Sequence, residues 1–194
     1  MSRLNAEIKN MKRALILEKA SEMFELYGYE EMKVSSLAKE VGVSVGTIYA
    51  YFNSKEGLYS AFIQEEIDAA YLVLQKLFEE EITFEEKLLR SLQIKFGVMS
   101  QKKRTLESGV FNNPFFFESQ QIAHQESFEK IYALYLEPIE QMKTVAIESR
   151  QLVHILNAIG NAYVLRWIEG ELEDLESKAP EVTTLFLKLM KGCE

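Results

Sequence analysis

The stretch that decides the fold runs from Val41 to Leu58 and reads VGVSVGTIYAYFNSKEGL. Taken alone, its β-branched and aromatic residues would equally suit an edge strand. The surrounding sequence favours helices instead, because Ser44 and Ser54 each stand where a serine caps the helix that follows. Gly42 permits a tight turn before the first of these caps. The stretch therefore predicts a helix, a glycine turn and a second helix, the unit that places its second helix in the major groove of DNA.

Helical spacing of apolar residues continues on both sides of this unit, and only three prolines and nine glycines interrupt it. The pattern predicts a first helix from about Lys12 to Tyr27 that stops at Gly28, and a fourth helix that runs to about Phe78. Further helices are predicted over about 84–99, 118–143, 149–170 and 180–191. The chain is therefore predicted to be all-α.

The run GVSVGTIYAYFNSKEGLY, residues 42–59, resembles the signature of the TetR family of transcriptional regulators. The shared features are a Gly-Val-Ser turn, a Tyr-x-x-Phe pair and a Ser-Lys-Glu-x-Leu helix opening. FELYGYE, from Phe24 to Glu30, resembles the end of the family's first helix. The resemblance covers about Ala14 to Phe62, and the rest of the chain matches only in length and helical character.

The resemblance implies an N-terminal helix-turn-helix DNA-binding domain over residues 1–55, with the motif at about 33–52. It implies a helical effector-binding and dimerisation domain over 56–194. Such a homodimer would bind a palindromic double-stranded DNA operator through its two recognition helices. A small, mostly apolar effector would change the spacing of those helices and release the repressor.

The residues predicted to contact DNA are Lys33, Ser35, Ser44, Val45, Gly46, Thr47, Tyr49, Tyr51 and Lys55. Gly46 would permit close approach to DNA, or it is a plain helix-start glycine. Tyr49 and Tyr51 offer hydroxyls to phosphates, unless one ring belongs to the core. A lysine at position 55 opposes the dipole at a helix start, a penalty that a nearby phosphate would reverse; otherwise it is a solvated surface lysine.

Two positions depart from the family's pattern. Lys33 stands where a Ser or Thr commonly caps the second helix, which weakens the cap but adds a possible phosphate contact. Val45 stands where a polar or basic residue often follows the turn, so the recognition helix carries no charge. Direct readout is then expected from hydroxyls and apolar contacts, including the C5-methyl of thymine.

The net charge of −8 does not exclude a nucleic-acid partner, because its distribution is uneven. Eight basic and eight acidic residues lie up to Glu56, whereas fourteen basic and twenty-two acidic residues follow from Gly57. A neutral N-terminal part on an acidic body can present a locally basic face. The acidic body also leaves open a rival interpretation, a helical protein-interaction module that binds no DNA.

Effector-binding candidates lie in the predicted body, and they are Phe111, Phe115, His124, Phe128, Asn157 and Asn161. His124 would border an apolar cavity, or it is a satisfied core histidine. Asn157 and Asn161 align with His154 on a helix whose other faces are apolar, which indicates burial all round. The polar groups of this stripe would bind a ligand, form hydrogen bonds across a subunit interface or form hydrogen bonds within the chain. The latter two alternatives are favoured.

The last two helices are expected to form the dimer, since they offer more apolar surface than one small body can cover. The residues expected there are Asn157, Ile159, Ala162, Val182, Leu185, Phe186 and Leu189, with Asn161. No metal site is expected, because the two histidines lack a ligand at metal-binding spacing. No cofactor or enzymatic activity is expected either, because the sequence has no Gly-rich phosphate loop and no Gly-x-Ser-x-Gly nucleophile elbow. A less favoured rival is an enzyme that uses His124 in an aromatic pocket.

A cytoplasmic location is expected, without a membrane partner. Cys193 is the single cysteine, which fits a reducing compartment. No signal peptide is evident at the N-terminus, and no uncharged apolar run approaches the length that spans a bilayer.

Overall fold

The computed structural model describes residues 2–103, 106–107 and 116–192, and throughout these ranges the regular structure is helical. The all-α prediction is confirmed. The helices are α1 Ser2–Glu31, α2 Val34–Val41, α3 Val45–Phe52, α4 Lys55–Glu79, α5 Phe84–Gln101, α6 Phe116–Ala123, α7 Gln125–Met142, α8 Ser149–Ile168 and α9 Ala179–Lys191, with a 3-10 turn at Glu176–Lys178. Among the described residues, no helix is long and apolar enough to cross a membrane.

The chain divides into two compact units. The first is Met1–Glu66 with the short segment that holds Leu106 and Glu107, and it contains α1 to α3 and the start of α4. The second unit contains the rest of α4, together with α5 to α9. The DNA-binding domain predicted over 1–55 lies within the first unit.

Local capping sets the end of α2 and the starts of α3 and α4 where the sequence predicts them. Gly28 has φ 75° and interrupts α1. Gly42 closes α2 in the left-handed conformation, with its N–H donating to the carbonyls of Ala38 and Lys39. The hydroxyl oxygens of Ser44 and Ser54 accept from backbone N–H groups three residues further on, at 3.0 Å and 3.1 Å. These bonds satisfy donors that a helix start otherwise leaves unpaired.

The core of the first unit lies between α1 and the short helices. Its fully buried side chains are Ile16, Leu17, Phe24, Met32, Leu37, Ile48, Leu58 and Phe62. α1 begins well before the predicted start at Lys12, and its side chains from Leu4 to Leu15 are exposed. Helix propensity, rather than burial, therefore accounts for this N-terminal extension of α1.

The second unit packs α5 against α9 and α7 against α8. Its fully buried side chains include Leu88, Phe96, Ile139, Leu152, Val164 and Phe186.

The single helix predicted over 118–143 is wrong, because the chain breaks between α6 and α7 at His124, which has φ −120° and ψ 33°. The break turns the His124 side chain inward, to 6% exposure. The His124 carbonyl then accepts from the N–H groups of Ser127 and Phe128, each at 3.1 Å. Pro138 lies inside α7.

Candidate functional site

The exposed face of α3 carries the side chains predicted to meet DNA. Ile48 and Phe52 turn inward and are buried. Tyr49 is 40% exposed, and Gly46 is exposed on the same short helix. Because two inward residues anchor the helix, its other face is presented to solvent in a fixed orientation. Among the other candidates, Lys33, Ser35 and Ser44 are exposed, and Val45, Thr47, Tyr51 and Lys55 are half-buried.

Packing within the protein does not require glycine at position 46. A Cβ atom added there would meet only the Ser44 hydroxyl oxygen, at 3.7 Å, which is an ordinary contact. Gly57 is different, since a Cβ atom there would lie 2.0 Å from the carbonyl oxygen of Phe52. Glycine at position 46 therefore leaves open space on the surface of α3, whereas glycine at position 57 serves the turn between helices.

The hydroxyls at the start of α3 bind each other. Ser44 Oγ and Thr47 Oγ1 are 2.9 Å apart, and Ser44 Oγ also accepts from the Thr47 N–H at 3.0 Å. Capping thus occupies the Ser44 oxygen, while the Thr47 methyl and Val45 supply the apolar part of this end of the helix. Lys33 precedes α2 without a side-chain cap, in line with its departure from the family's Ser or Thr.

Lys55 is held at the start of α4 by two neighbours from the end of α1. Its Nζ donates to the carbonyl oxygen of Glu30 at 3.2 Å and lies 4.6 Å from the centre of the Tyr29 ring. The Tyr29 hydroxyl donates to Glu56 at 2.9 Å. Burial and this carboxylate raise the pKa of Tyr29 to about 12. The Lys55 ammonium is therefore held in place by contacts within the protein.

Sequence reasoning missed Arg13, whose guanidinium lies 5.0 Å from the centre of the Phe52 ring at the end of α3. The pairing depends on the fold, because the two residues belong to separate helices. The Arg13 guanidinium therefore places a positive charge beside α3.

A cluster of polar side chains lies in the second unit, and we call it the Lys95 cluster: Lys95 of α5, Tyr132 of α7, and Asn157 and Asn161 of α8. Lys95 Nζ donates to Oδ1 of Asn157 at 3.0 Å and to Oδ1 of Asn161 at 2.8 Å. Asn157 Nδ2 donates to the Tyr132 hydroxyl at 3.1 Å. The two asparagines predicted to need partners therefore find them inside the unit.

Gly160 gives Lys95 its place against α8. A Cβ atom at position 160 would lie 3.1 Å from Lys95 Nζ and 3.5 Å from its Cε. Burial of the ammonium lowers the pKa of Lys95 to about 8. Sequence reasoning missed Lys95, because it lies on another helix, 62 residues before Asn157.

The expectation that α8 is buried all round is wrong for the single chain. Its face that carries His154, Ala158 and Ala162 is exposed. The His154 ring packs edge-on against Tyr132 at 5.1 Å between centroids, and its Nδ1 lies 3.4 Å from Gln121 Nε2.

Of the other effector candidates, His124 is buried and Phe128 packs against the Tyr132 ring at 6.1 Å. Burial lowers the pKa of His124, and the negative charge of Asp68 opposes that shift. The candidates Phe111 and Phe115 lie outside the described residues. No group of three potential metal-binding side chains occurs within the described ranges.

The structure buries some of the residues expected at the dimer interface within the chain and exposes others. Val182 and Phe186 are fully buried within the chain, so those two expectations are wrong. Asn157 and Asn161 point to Lys95. Leu185 is 47% exposed on α9, and Ala162 is exposed on α8.

Residues 16–62 match the family model for the N-terminal domain of bacterial regulatory proteins of the tetR family. The chain is 30% identical over 92 residues to the fatty acid metabolism regulator protein of Bacillus subtilis, an alignment that covers 47% of each protein. The chain therefore spans about half the length of that relative. With the helix-turn-helix in place, residues 16–62 are similar to the N-terminal DNA-binding domain of the TetR family of transcriptional regulators, and the similar proteins are named as regulators.

Solved structures share the fold over most of the chain. The transcriptional regulator FadR from Bacillus subtilis, in complex with stearoyl-CoA, matches with a TM-score of 0.71 at 18% identity, covering 90% of this chain and 97% of that one. FadR from Thermus thermophilus, a transcriptional repressor in complex with lauroyl-CoA, matches with a TM-score of 0.71 at 20% identity, covering 94% and 96%.

Proposed function

We propose that the protein is a cytoplasmic homodimeric repressor that binds a palindromic operator through α3 and leaves it when an acyl compound binds the helical body. The observation that carries the DNA-binding part is the surface of α3. That surface is exposed and held by buried Ile48 and Phe52, and it includes a glycine that internal packing does not need. Such a surface suits close approach to a macromolecule rather than support of the core.

Contacts with the operator divide by chemistry. Lys55, Lys33 and the hydroxyls of Tyr49 and Tyr51 are suited to phosphates, which position a protein without reading sequence. Ser35 and Ser44 can add phosphate contacts. Val45 and Thr47 are left to read base edges, and their apolar groups suit the thymine methyl.

An acyl compound is proposed as the effector because two structural neighbours hold stearoyl-CoA and lauroyl-CoA, and a relative is a fatty acid metabolism regulator. The chain's own aromatic side chains Phe128 and Tyr132 provide apolar surface in the second unit. The effector lowers operator affinity only through its preference for the released state, so tight binding alone is insufficient.

The homodimer is proposed to form through the exposed faces of α8 and α9. Ala158 and Ala162 allow close approach of a second helix, and exposed Leu185 adds apolar area. Two copies related by a two-fold axis would present two α3 helices to the two halves of a palindrome.

A mobility-shift experiment tests this function. Purified protein is mixed at low salt with a DNA duplex from the region upstream of its own gene, and lauroyl-CoA is then added. We expect a retarded complex that lauroyl-CoA dissociates. A retarded complex that lauroyl-CoA leaves intact would refute the acyl effector. The absence of any complex would refute DNA binding.

A further inference from the structure

Lys95 is a cation that the second unit holds without a counter-charge. Both of its hydrogen-bond acceptors are neutral amide oxygens, those of Asn157 and Asn161. An ammonium group has three N–H donors, so one remains after these two bonds. Within the described part of the chain, no carboxylate forms an ion pair with Lys95 Nζ.

This arrangement carries a cost for an unliganded protein, because the half-buried Lys95 side chain has lost part of its hydration. Transfer of a charged group out of water is unfavourable unless another charge and hydrogen bonds compensate for it. Burial is the one cause that shifts the pKa of Lys95, to about 8, and no nearby acid opposes it. The chain has thirty acidic residues against twenty-two basic ones, so carboxylates are plentiful, yet none is placed here.

A second donor lies beside the same amide. The Tyr132 hydroxyl oxygen accepts from Asn157 Nδ2, which leaves the hydroxyl hydrogen available to a further acceptor. Asn157 thus links the two donors, with its oxygen on Lys95 and its nitrogen on Tyr132. Gly160 keeps room for the lysine, since a Cβ atom there would press on Nζ at 3.1 Å.

We propose that Lys95 and Tyr132 form an anion-binding site that receives the acidic group of an effector with an apolar tail. The group is the carboxylate of a free fatty acid or a phosphate of an acyl-CoA, which share the same hydrogen-bond chemistry. The Phe128 ring, packed against Tyr132, provides apolar surface next to the site. This inference rests on the proposed acyl effector and adds the end of the molecule that the protein recognises.

Calorimetric titration of the full chain with laurate, lauroyl-CoA and 1-dodecanol tests the site. The alcohol has the same tail but no charge. We expect at least one of the two anionic ligands to bind about tenfold or more tightly than the alcohol, the size of a charge-assisted hydrogen bond. A preference for laurate assigns the carboxylate, and a preference for lauroyl-CoA alone assigns the phosphate.

Two variants should abolish this preference for the acids over dodecanol. Lys95→Met removes the cation, and Asn161→Asp keeps the shape but supplies an internal carboxylate that occupies it. Lys76→Met removes an exposed lysine of α4 and should keep the preference. Circular dichroism checks that each variant folds. If Lys95→Met does not fold, Asn161→Asp alone tests the site.

Equal binding of acids and alcohol by the wild type, or a preference that survives in both variants, would overturn the site. The mobility shift separates this failure from failure of the proposed function. If lauroyl-CoA releases DNA equally from wild type and variants, the site alone is wrong. If anion binding depends on Lys95 but no ligand releases DNA, the site stands and the effector role fails.

Discussion

The uncompensated charge of Lys95 should make the protein more stable as the pH rises above about 8. The native pKa of about 8 lies below the ordinary value of 10.5. Between these values the unfolded chain binds the proton and the native protein does not, so the free energy of unfolding increases with pH. At 1.36 kcal/mol per pKa unit, Lys95 should contribute about 2 kcal/mol by about pH 9.5.

Urea denaturation followed by circular dichroism, at about pH 7, 8, 9 and 9.5, measures this increase. Protein concentration is kept constant, because dimer formation would couple to unfolding. Tyr132 has a pKa raised to about 12 by burial, so it opposes the trend only at higher pH. The difference between wild type and Lys95→Met removes contributions common to both. Lys76→Met provides the matched control, and parallel stability curves for wild type and Lys95→Met would refute the reasoning.

Further predictions concern DNA binding and assembly. Gly46→Ala should weaken operator binding without loss of stability. The control Gly97→Ala, where a Cβ atom meets nothing within 4 Å, should leave operator binding unchanged. If fluorescence anisotropy gives equal operator affinities for both variants, DNA does not approach position 46 closely. Lys55→Ala should weaken binding uniformly across sequences and reduce the slope of log affinity against log salt by about one, and an unchanged slope would exclude a phosphate contact. Uracil in place of the recognised thymine should cost about 0.8 kcal/mol, three- to fourfold in affinity, and Val45→Ser should erase most of that difference; no effect at any thymine of the half-site would point to groove shape instead. Leu185→Glu should shift the protein to monomer in sedimentation, and a persistent dimer would place the interface elsewhere.

The elements that the sequence predicts well are those set by local chemistry. Ser44, Ser54 and Gly42 act within one turn of their own positions, so the neighbouring residues suffice to predict the helix boundaries there. No glycine or proline marks the break at His124. The His124 ring is buried there and its carbonyl caps the next helix, features that the local sequence does not predict.

Interactions between distant helices could not be predicted from the sequence. The partners of Lys95 lie 62 and 66 residues further along the chain, so the sequence did not distinguish a ligand, a partner subunit or an internal side chain as the partner of the two asparagines. Val182 and Phe186 have the right spacing for an apolar face, but spacing does not tell whether that face meets the core or a second subunit.

Selection of binding sites from a pool of randomised duplexes tests the central claim most directly, because the operator sequence emerges from the selection itself. The protein should enrich one motif of two inverted half-sites, with thymine where Val45 and Thr47 would meet the base edge. The variant Gly46→Ala, which we expect to fold, should enrich that motif weakly or not at all. A folded wild-type protein that enriches no sequence over the starting pool would contradict the claim that α3 reads a two-fold operator.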